Sequence, residues 1–177
     1  MSSPVETGIQ GATLYAPKVF SDGRGHFFEG YRASWLSGDR RFVQWNISRS
    51  AANVVRGLHF HRLQSDYWLV TDGLVRAALV DLRPNSPTRG KAVCVELDAA
   101  NPRGLLIPPG VLHGYRILKD ATVMYLVDHE YTGKDEYGVR WNDPALGLPP
   151  QWTDLAEPIL SNRDTVAPLL KDAATVL

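Results

Sequence analysis

The sequence predicts an all-β fold, a sandwich or barrel, on three observations. Short runs rich in Val, Leu, Tyr and Phe recur along the 177 residues. Turn formers separate them at close intervals. The stretch "VRAALVDL", Val75 to Leu82, is nearly continuous in apolar residues over a strand's length, as a strand packed on both faces requires. In chain order, "SDGRG" marks a turn, and "YRASWLSGDRR" from Tyr31 predicts a short helix stopped at Gly38. "VTDG" ends the run that begins at Gly57, and "VRAALVDL" follows as a central strand. "RPNSPTRG", "NPRG" and "IPPG" supply the next turns. "DPALGLPPQW" reads as an ordered surface loop, and "DTVAPLLKDAATVL" predicts a second short helix. Neither helix is long enough to define another domain, and no repeat, low-complexity tract or linker interrupts the chain. Residues 1–177 therefore read as one domain.

Composition narrows the class of function. An apolar content of 44% over this length lets one domain bury roughly two thirds of its unfolded surface. Nineteen basic residues balance nineteen acidic ones, so no overall field draws in nucleic acid or an anionic membrane, although a local cluster can still hold a phosphate. The single cysteine, Cys94, makes no internal disulfide, and "MSSPVETGIQ" has neither the basic start nor the apolar run of a secretory signal. No apolar run approaches the roughly 20 residues of a membrane span. A soluble protein of the reducing cytoplasm is expected.

Two short motifs carry the chemistry. In "GLHFHRLQSDYWLVTDG", His59 and His61 point the same way if the stretch is a strand, because side chains alternate with period two. Asp66 and Gly73 follow. Further on, "GLLIPPGVLHGY" places Pro108, Gly110 and His113 in a tight turn that feeds a histidine into a strand. Together the two stretches resemble the paired motifs of the cupin superfamily. That resemblance implies a double-stranded β-helix (cupin jelly roll) with short peripheral helices, its motif residues directed into the barrel mouth. In metal-binding cupins the matching residues are ligands; here these would be His59, His61, Asp66 and His113, with Asp where Glu is usual. Three imidazoles and a carboxylate suit one divalent metal ion such as Zn, Fe, Ni, Mn or Cu. The plainer alternative is that His61 lines a wet cavity and Asp66 caps a turn.

Over almost its full length the chain also resembles the dTDP-4-dehydrorhamnose 3,5-epimerases and related sugar-nucleotide epimerases. "PKVFSDGRGHFFEGY", "FVQWNISRS", "VVRGLHF", "VDLRPNSPTRGKAV", "IPPGVLHGY", "VRWNDPALGL" and "ILSNRDTVAPLL" are similar to family segments in family order. The resemblance implies that His59 is the general base, Asp164 the carboxylate that orients it, and Tyr125 the general acid on the opposite face of the sugar. It matches His113 to a histidine near the keto oxygen, and Gln44, Asn46 and Arg56 to contacts with the diphosphate and sugar. Tyr131 matches a second aromatic lining the pocket. Arg24 and Glu29 match residues that reach the nucleotide across a dimer interface, so a homodimer is implied. The reaction inverts a carbon beside a ketone, which needs a base, stabilisation of the enolate oxygen and an acid on the other side. No cofactor is required.

The chain departs from the family where the two resemblances compete. Family members usually carry a lysine near Asp66, and a carboxylate there opposes a developing enolate. Trp45 and Ile47 stand where the family more often has an acid and a histidine, a change expected to alter nucleotide contacts or substrate choice. If His59, His61, Asp66 and His113 held a metal, the ion could polarise the ketone, but His59 could not then serve as a free base. Three functions remain open to the sequence: an epimerase acting on a nucleoside diphosphate 4-keto-6-deoxy sugar, a metal-dependent cupin enzyme, and a noncatalytic sugar-nucleotide-binding cupin.

Overall fold

The computed structural model describes residues 3–36, 40–154 and 156–173. Among them, β1 (Ser3–Glu6) and β2 (Thr13–Ala16) precede a hairpin of β3 (Val19–Asp22) and β4 (Gly25–Phe28). There follow β5 (Gln44–Ser50), β6 (Val55–Phe60), β7 (Asp66–Asp81), β8 (Ala92–Asp98), β9 (Gly104–Ile107), β10 (Val111–Val127) and β11 (Tyr137–Gly138). Two long strands organise the rest. β7 and β10 pair antiparallel along most of their length. The second half of β10 takes β5 on its other edge and the first half takes β6, which in turn pairs with β11. The start of β7 takes β9, and its end takes β8. Each long strand thus serves two layers, giving the double-stranded β-helix.

The layers meet at a bend where register shifts fall between Ile117 and Val123. Gly73 makes the bend possible. It has a φ of +79°, and a Cβ there would lie 1.9 Å from the Asp120 carbonyl oxygen, so no other residue allows the strands this approach. Beyond the bend, Val75, Ala77 and Leu79 enter one buried cluster with Trp68, Leu105 and Tyr115. Ala78 and Val80 point the other way, into a second cluster with Phe60, Leu112, Trp141 and Trp152. The double-faced burial expected of "VRAALVDL" is what the period of two produces when both faces are covered.

The loop from β7 to β8 is built on Asp81, which is fully buried. Its carboxylate accepts from Arg83 Nε (2.9 Å), Arg83 Nη2 (2.8 Å), Ser86 Oγ (2.5 Å) and Thr88 Oγ1 (2.6 Å). Burial alone would raise its pKa, but these hydrogen bonds outweigh burial and hold it well below the usual carboxylate range.

Three sequence expectations change. "YRASWLSGDRR" gives only a 3-10 turn at Ala33–Trp35, and its stop at Gly38 lies outside the described residues. "DTVAPLLKDAATVL" is split: α1 spans Asn162–Thr165 and α2 spans Leu170–Ala173. Pro168, which lacks an N–H to donate, lies between them. The "DPALGLPPQW" segment is less superficial than a surface loop, because Leu146 and Trp152 are buried in the second cluster.

Candidate active site

Strands β5, β6, β7 and β10 and the short helix α1 converge on a cavity of about 660 Å³ lined by His59, Tyr125, Asp164, Asp66, Arg56 and Glu136, among others. His59 lies near the end of β6 and His61 just beyond it, their ring centroids 5.4 Å apart. His113, on β10, pairs in register with His59, and their rings are 4.7 Å apart. The two motifs read from the sequence therefore meet across one strand pair. His113 is buried behind the other two rings and against Trp68.

The hydrogen bonds of these rings fix their tautomers. His61 Nδ1 donates to the backbone carbonyl of Asp135, and His113 Nδ1 donates to the carbonyl of Val111 at 2.8 Å. Each Nε2 therefore keeps a lone pair when the ring is neutral. Asp135 also latches its segment to the strand end, its carboxylate accepting from the N–H groups of Arg62 and Leu63, each at 2.9 Å. His59 Nδ1 and His113 Nε2 are buried with no hydrogen-bond partner among the described residues. Burial pushes the His59 pKa well below its usual value, and the neighbouring His113, His61 and Arg163 lower it further. Burial also lowers that of His113, against a raising influence from Asp66.

Carboxylates surround this cluster unevenly. Glu136 Oε1 is 4.0 Å from His59 Nε2, while its other oxygen accepts from Arg163 Nη1 at 2.6 Å and from the Tyr131 hydroxyl at 3.4 Å. Asp164, buried on α1, shares the cavity wall with His59. It accepts from the helix-capping Ser161 hydroxyl at 2.8 Å and lies 3.7 Å from Arg163 Nε. Asp66, the first residue of β7, accepts from Gln64 Nε2 at 2.7 Å and Trp68 Nε1 at 3.0 Å, and its Oδ2 is 3.8 Å from His113 Nε2. Of the four ligands considered from the sequence, His59, His61 and His113 bring ring nitrogens within 4.8 Å of one another; Asp66 stands outside that group.

Tyr125 lies on β10 opposite Asn46 of β5 and Trp68 of β7. Burial, with Asp66 adding to it, raises its pKa, so the hydroxyl keeps its proton at neutral pH. Gln44 and Asn46 line the same cavity and are joined by a 2.8 Å hydrogen bond. Gln44 Oε1 accepts the N–H of Tyr131 at 2.9 Å, anchoring the largely exposed Tyr131 at the rim. Arg56 also lines the cavity, and its Nε donates to Ser50 Oγ at 3.1 Å. Alternation along β5 turns Trp45 and Ile47 outward, where both are exposed. Neither lines this cavity of its own chain.

Arg24 and Glu29 are not brought to the cavity of their own chain. Arg24, in the β3–β4 turn, is highly exposed and pairs with Asp22 at 2.6 Å; Glu29 pairs with Arg32 at 2.6 Å. The sequence reading missed Glu136. It lies two residues before Gly138, whose pairing with His59 puts it beside that ring, and nothing in "KDEYGVRW" announces that long-range pairing.

The chain matches the family model described as "dTDP-4-dehydrorhamnose 3,5-epimerase" over residues 6–172. It is 40% identical over 181 residues to the dTDP-4-dehydrorhamnose 3,5-epimerase of Salmonella typhimurium, covering 96% of each chain. Its fold superposes on the rmlC epimerase of Mycobacterium tuberculosis with a TM-score of 0.91 at 35% identity, over 98% of this chain and 91% of that one. It also superposes on ChmJ, a 3'-monoepimerase from Streptomyces bikiniensis in complex with dTDP-quinovose. There the TM-score is 0.87 at 32% identity, over 95% and 88% of the two chains.

Proposed function

Because the chain belongs to the dTDP-4-dehydrorhamnose 3,5-epimerase family and is a sugar-nucleotide epimerase, we propose that His59 is its general base and Tyr125 its general acid. The substrate is a nucleoside diphosphate 4-keto-6-deoxy sugar, inverted at C3, C5 or both. One observation carries the assignment: His59 and Tyr125 come from different strands yet line one cavity, with the carboxylates of Asp164 and Glu136 on the base's side of it.

A carbon beside a ketone gives up its proton only to a nearby base, and only if the enolate oxygen is stabilised. Burial keeps the His59 ring neutral and able to accept that proton at neutral pH. Glu136 and Asp164 favour the imidazolium that forms, as an acidic partner does in any histidine-centred relay. Tyr125 holds a proton to return from the other side. His113, behind the His59 ring, backs the base and the keto end of the site. Arg56, which bonds a hydroxyl and pairs with no carboxylate among the described residues, supplies positive charge for the enolate or the diphosphate where Asp66 offers none. Gln44, Asn46 and Tyr131 contact the nucleotide and sugar. No cofactor enters the steps.

The protein acts as a homodimer in this reading. Support comes from the hairpin, where Phe20 and Phe27 are 51% and 64% exposed, and from the outward Trp45 and Ile47 at 59% and 66%. Large apolar side chains left exposed on a chain favour a partner surface. Arg24 and Glu29 then serve the neighbouring cavity. No helix of the structure is long and apolar enough to cross a membrane, and a cytoplasmic site of action goes with the sugar-nucleotide substrate.

Incubation with a dTDP-4-keto-6-deoxyhexose in heavy water tests the assignment. Deuterium is expected at C3 or C5 with the wild-type protein, and His59→Ala should abolish the exchange. Exchange that persists in that variant would refute His59 as the base.

A further inference from the structure

We propose that His59, His61 and His113 form a binding site for one divalent transition-metal ion of the zinc class, and that metal binding and proton abstraction exclude each other. The second half of this statement rests on the assignment of His59 as base; the first half stands apart from it.

The three rings contribute nitrogens that already lie within 4.8 Å of one another. Around a tetrahedral zinc ion, with bonds of about 2.0–2.1 Å, neighbouring ligand atoms stand roughly 3.3–3.4 Å apart. The widest separation therefore has to close by roughly 1.5 Å at most, a movement available to small side-chain rotations. Backbone carbonyls hold two of the rings in the form a metal requires. Asp135 and Val111 take the Nδ1–H of His61 and His113, which leaves each Nε2 with a lone pair, and a carbonyl on the distal nitrogen is the usual support for a metal-bound imidazole. Among the described residues the buried Nε2 of His113 has no hydrogen-bond partner, nor has the buried Nδ1 of His59.

The charge around the cluster agrees. Asp66, held by Gln64 and Trp68, places a carboxylate oxygen 3.8 Å from His113 Nε2. Such a group opposes an enolate but favours a dication, so this carboxylate suits a metal better than it suits the proton transfer. An ion held by three imidazoles keeps a fourth position open to water or a small anion. His61, Asp66 and the carbonyl of Asp135, to which proton transfer gives no part, are the groups that favour the ion.

The two occupants of the site compete for one lone pair. A His59 nitrogen bound to an ion cannot take a proton from a sugar carbon, so the ion acts as an inhibitor that switches the base off.

Metal-stripped full-length protein, titrated calorimetrically with zinc chloride, should bind one ion per chain. Substituted cobalt should give the visible absorption of a tetrahedral nitrogen-ligated site. His61→Gln should weaken zinc binding at least tenfold and remove the cobalt spectrum. In the heavy-water assay, zinc at saturation should slow exchange more than tenfold in the wild-type protein, and the ratio of rates with and without zinc should approach one in His61→Gln. Failure of the wild-type protein to bind stoichiometric zinc overturns the site, as does unchanged binding in His61→Gln. Stoichiometric binding with no slowing of exchange overturns the exclusion. Because binding is read without substrate, its failure is distinct from any failure of the epimerase assignment.

Discussion

Replacing Glu136 with glutamine should slow proton abstraction by about 10- to 100-fold with little change in KM. The reasoning starts from the 4.0 Å between Glu136 Oε1 and His59 Nε2. At that separation two unit charges interact by about 4 kcal/mol at an effective dielectric of 20 and about 1 kcal/mol in water. His59 and Glu136 are 17% and 15% exposed, which puts the pair between those limits. Arg163, 2.6 Å from the second carboxylate oxygen, draws off part of the field. A loss of about 1.5–3 kcal/mol at the transition state remains, since the imidazolium exists only after the proton has moved, and each 1.4 kcal/mol is a factor of ten. The variant also leaves Arg163 with Asp164 as its one remaining carboxylate partner among the described residues, and the guanidinium, which lowers the His59 pKa, then acts in the same direction. Asp164→Asn should cost less, roughly three- to tenfold, because its carboxylate is committed to the Ser161 hydroxyl. Deuterium exchange into a 4-keto sugar nucleotide, followed by proton NMR, measures both. If Asp164→Asn proves the more damaging, Asp164 is the partner of the base and the distances here do not describe the working arrangement.

Tyr125→Phe should lower the rate of inversion by roughly 10²–10⁴-fold, the usual worth of a positioned acid. Deuterium exchange at the same carbon should fall less, and NMR separates the two by comparing label uptake with formation of the epimer. Asp81→Asn should destabilise the fold by about 1–3 kcal/mol through the unmatched donors of Arg83, Ser86 and Thr88, seen as a Tm lower by roughly 3–10 °C. Because the folded pKa of Asp81 is depressed, its stabilisation is full above the unfolded value of about 3.9 and is lost as pH falls from there through the folded value. The stability difference between wild type and variant should therefore narrow in acid; a constant difference from pH 7 to pH 2 would refute the account. Phe27→Asp should move the protein from a dimer to a monomer on gel filtration, and an unchanged elution volume would remove the hairpin from the interface.

Much of the fold was legible because its signals are local. "VRAALVDL" announces a strand covered on both faces, and Pro108, Gly110 and His113 announce a turn into a strand, without reference to anything distant. The helices were less legible: "DTVAPLLKDAATVL" has helical composition, but Pro168 interrupts it. At the site, His59, Tyr125 and Asp164 could be named as cavity residues from motif positions, whereas Glu136 could not. Its place beside His59 depends on β11 pairing with β6, a contact between residues far apart in sequence. Trp45 and Ile47 show the converse. They flank Gln44 and Asn46 in sequence, yet the alternation of β5 puts them on the far face, so sequence adjacency overstated their part in the cavity.

Tyr115 and Tyr125 lie on the same strand, and both line the cavity. Along a straight strand the ten residue steps from one to the other would separate them by about 33 Å. They share one cavity because β10 bends where Gly73 lets β7 approach it. The geometry of proton transfer is thus inherited from a curve in the main chain, upstream of any choice of side chain on the cavity wall. Wall residues are then free to vary with the sugar to be recognised, while Tyr125 keeps its place in the cavity that His59 also lines.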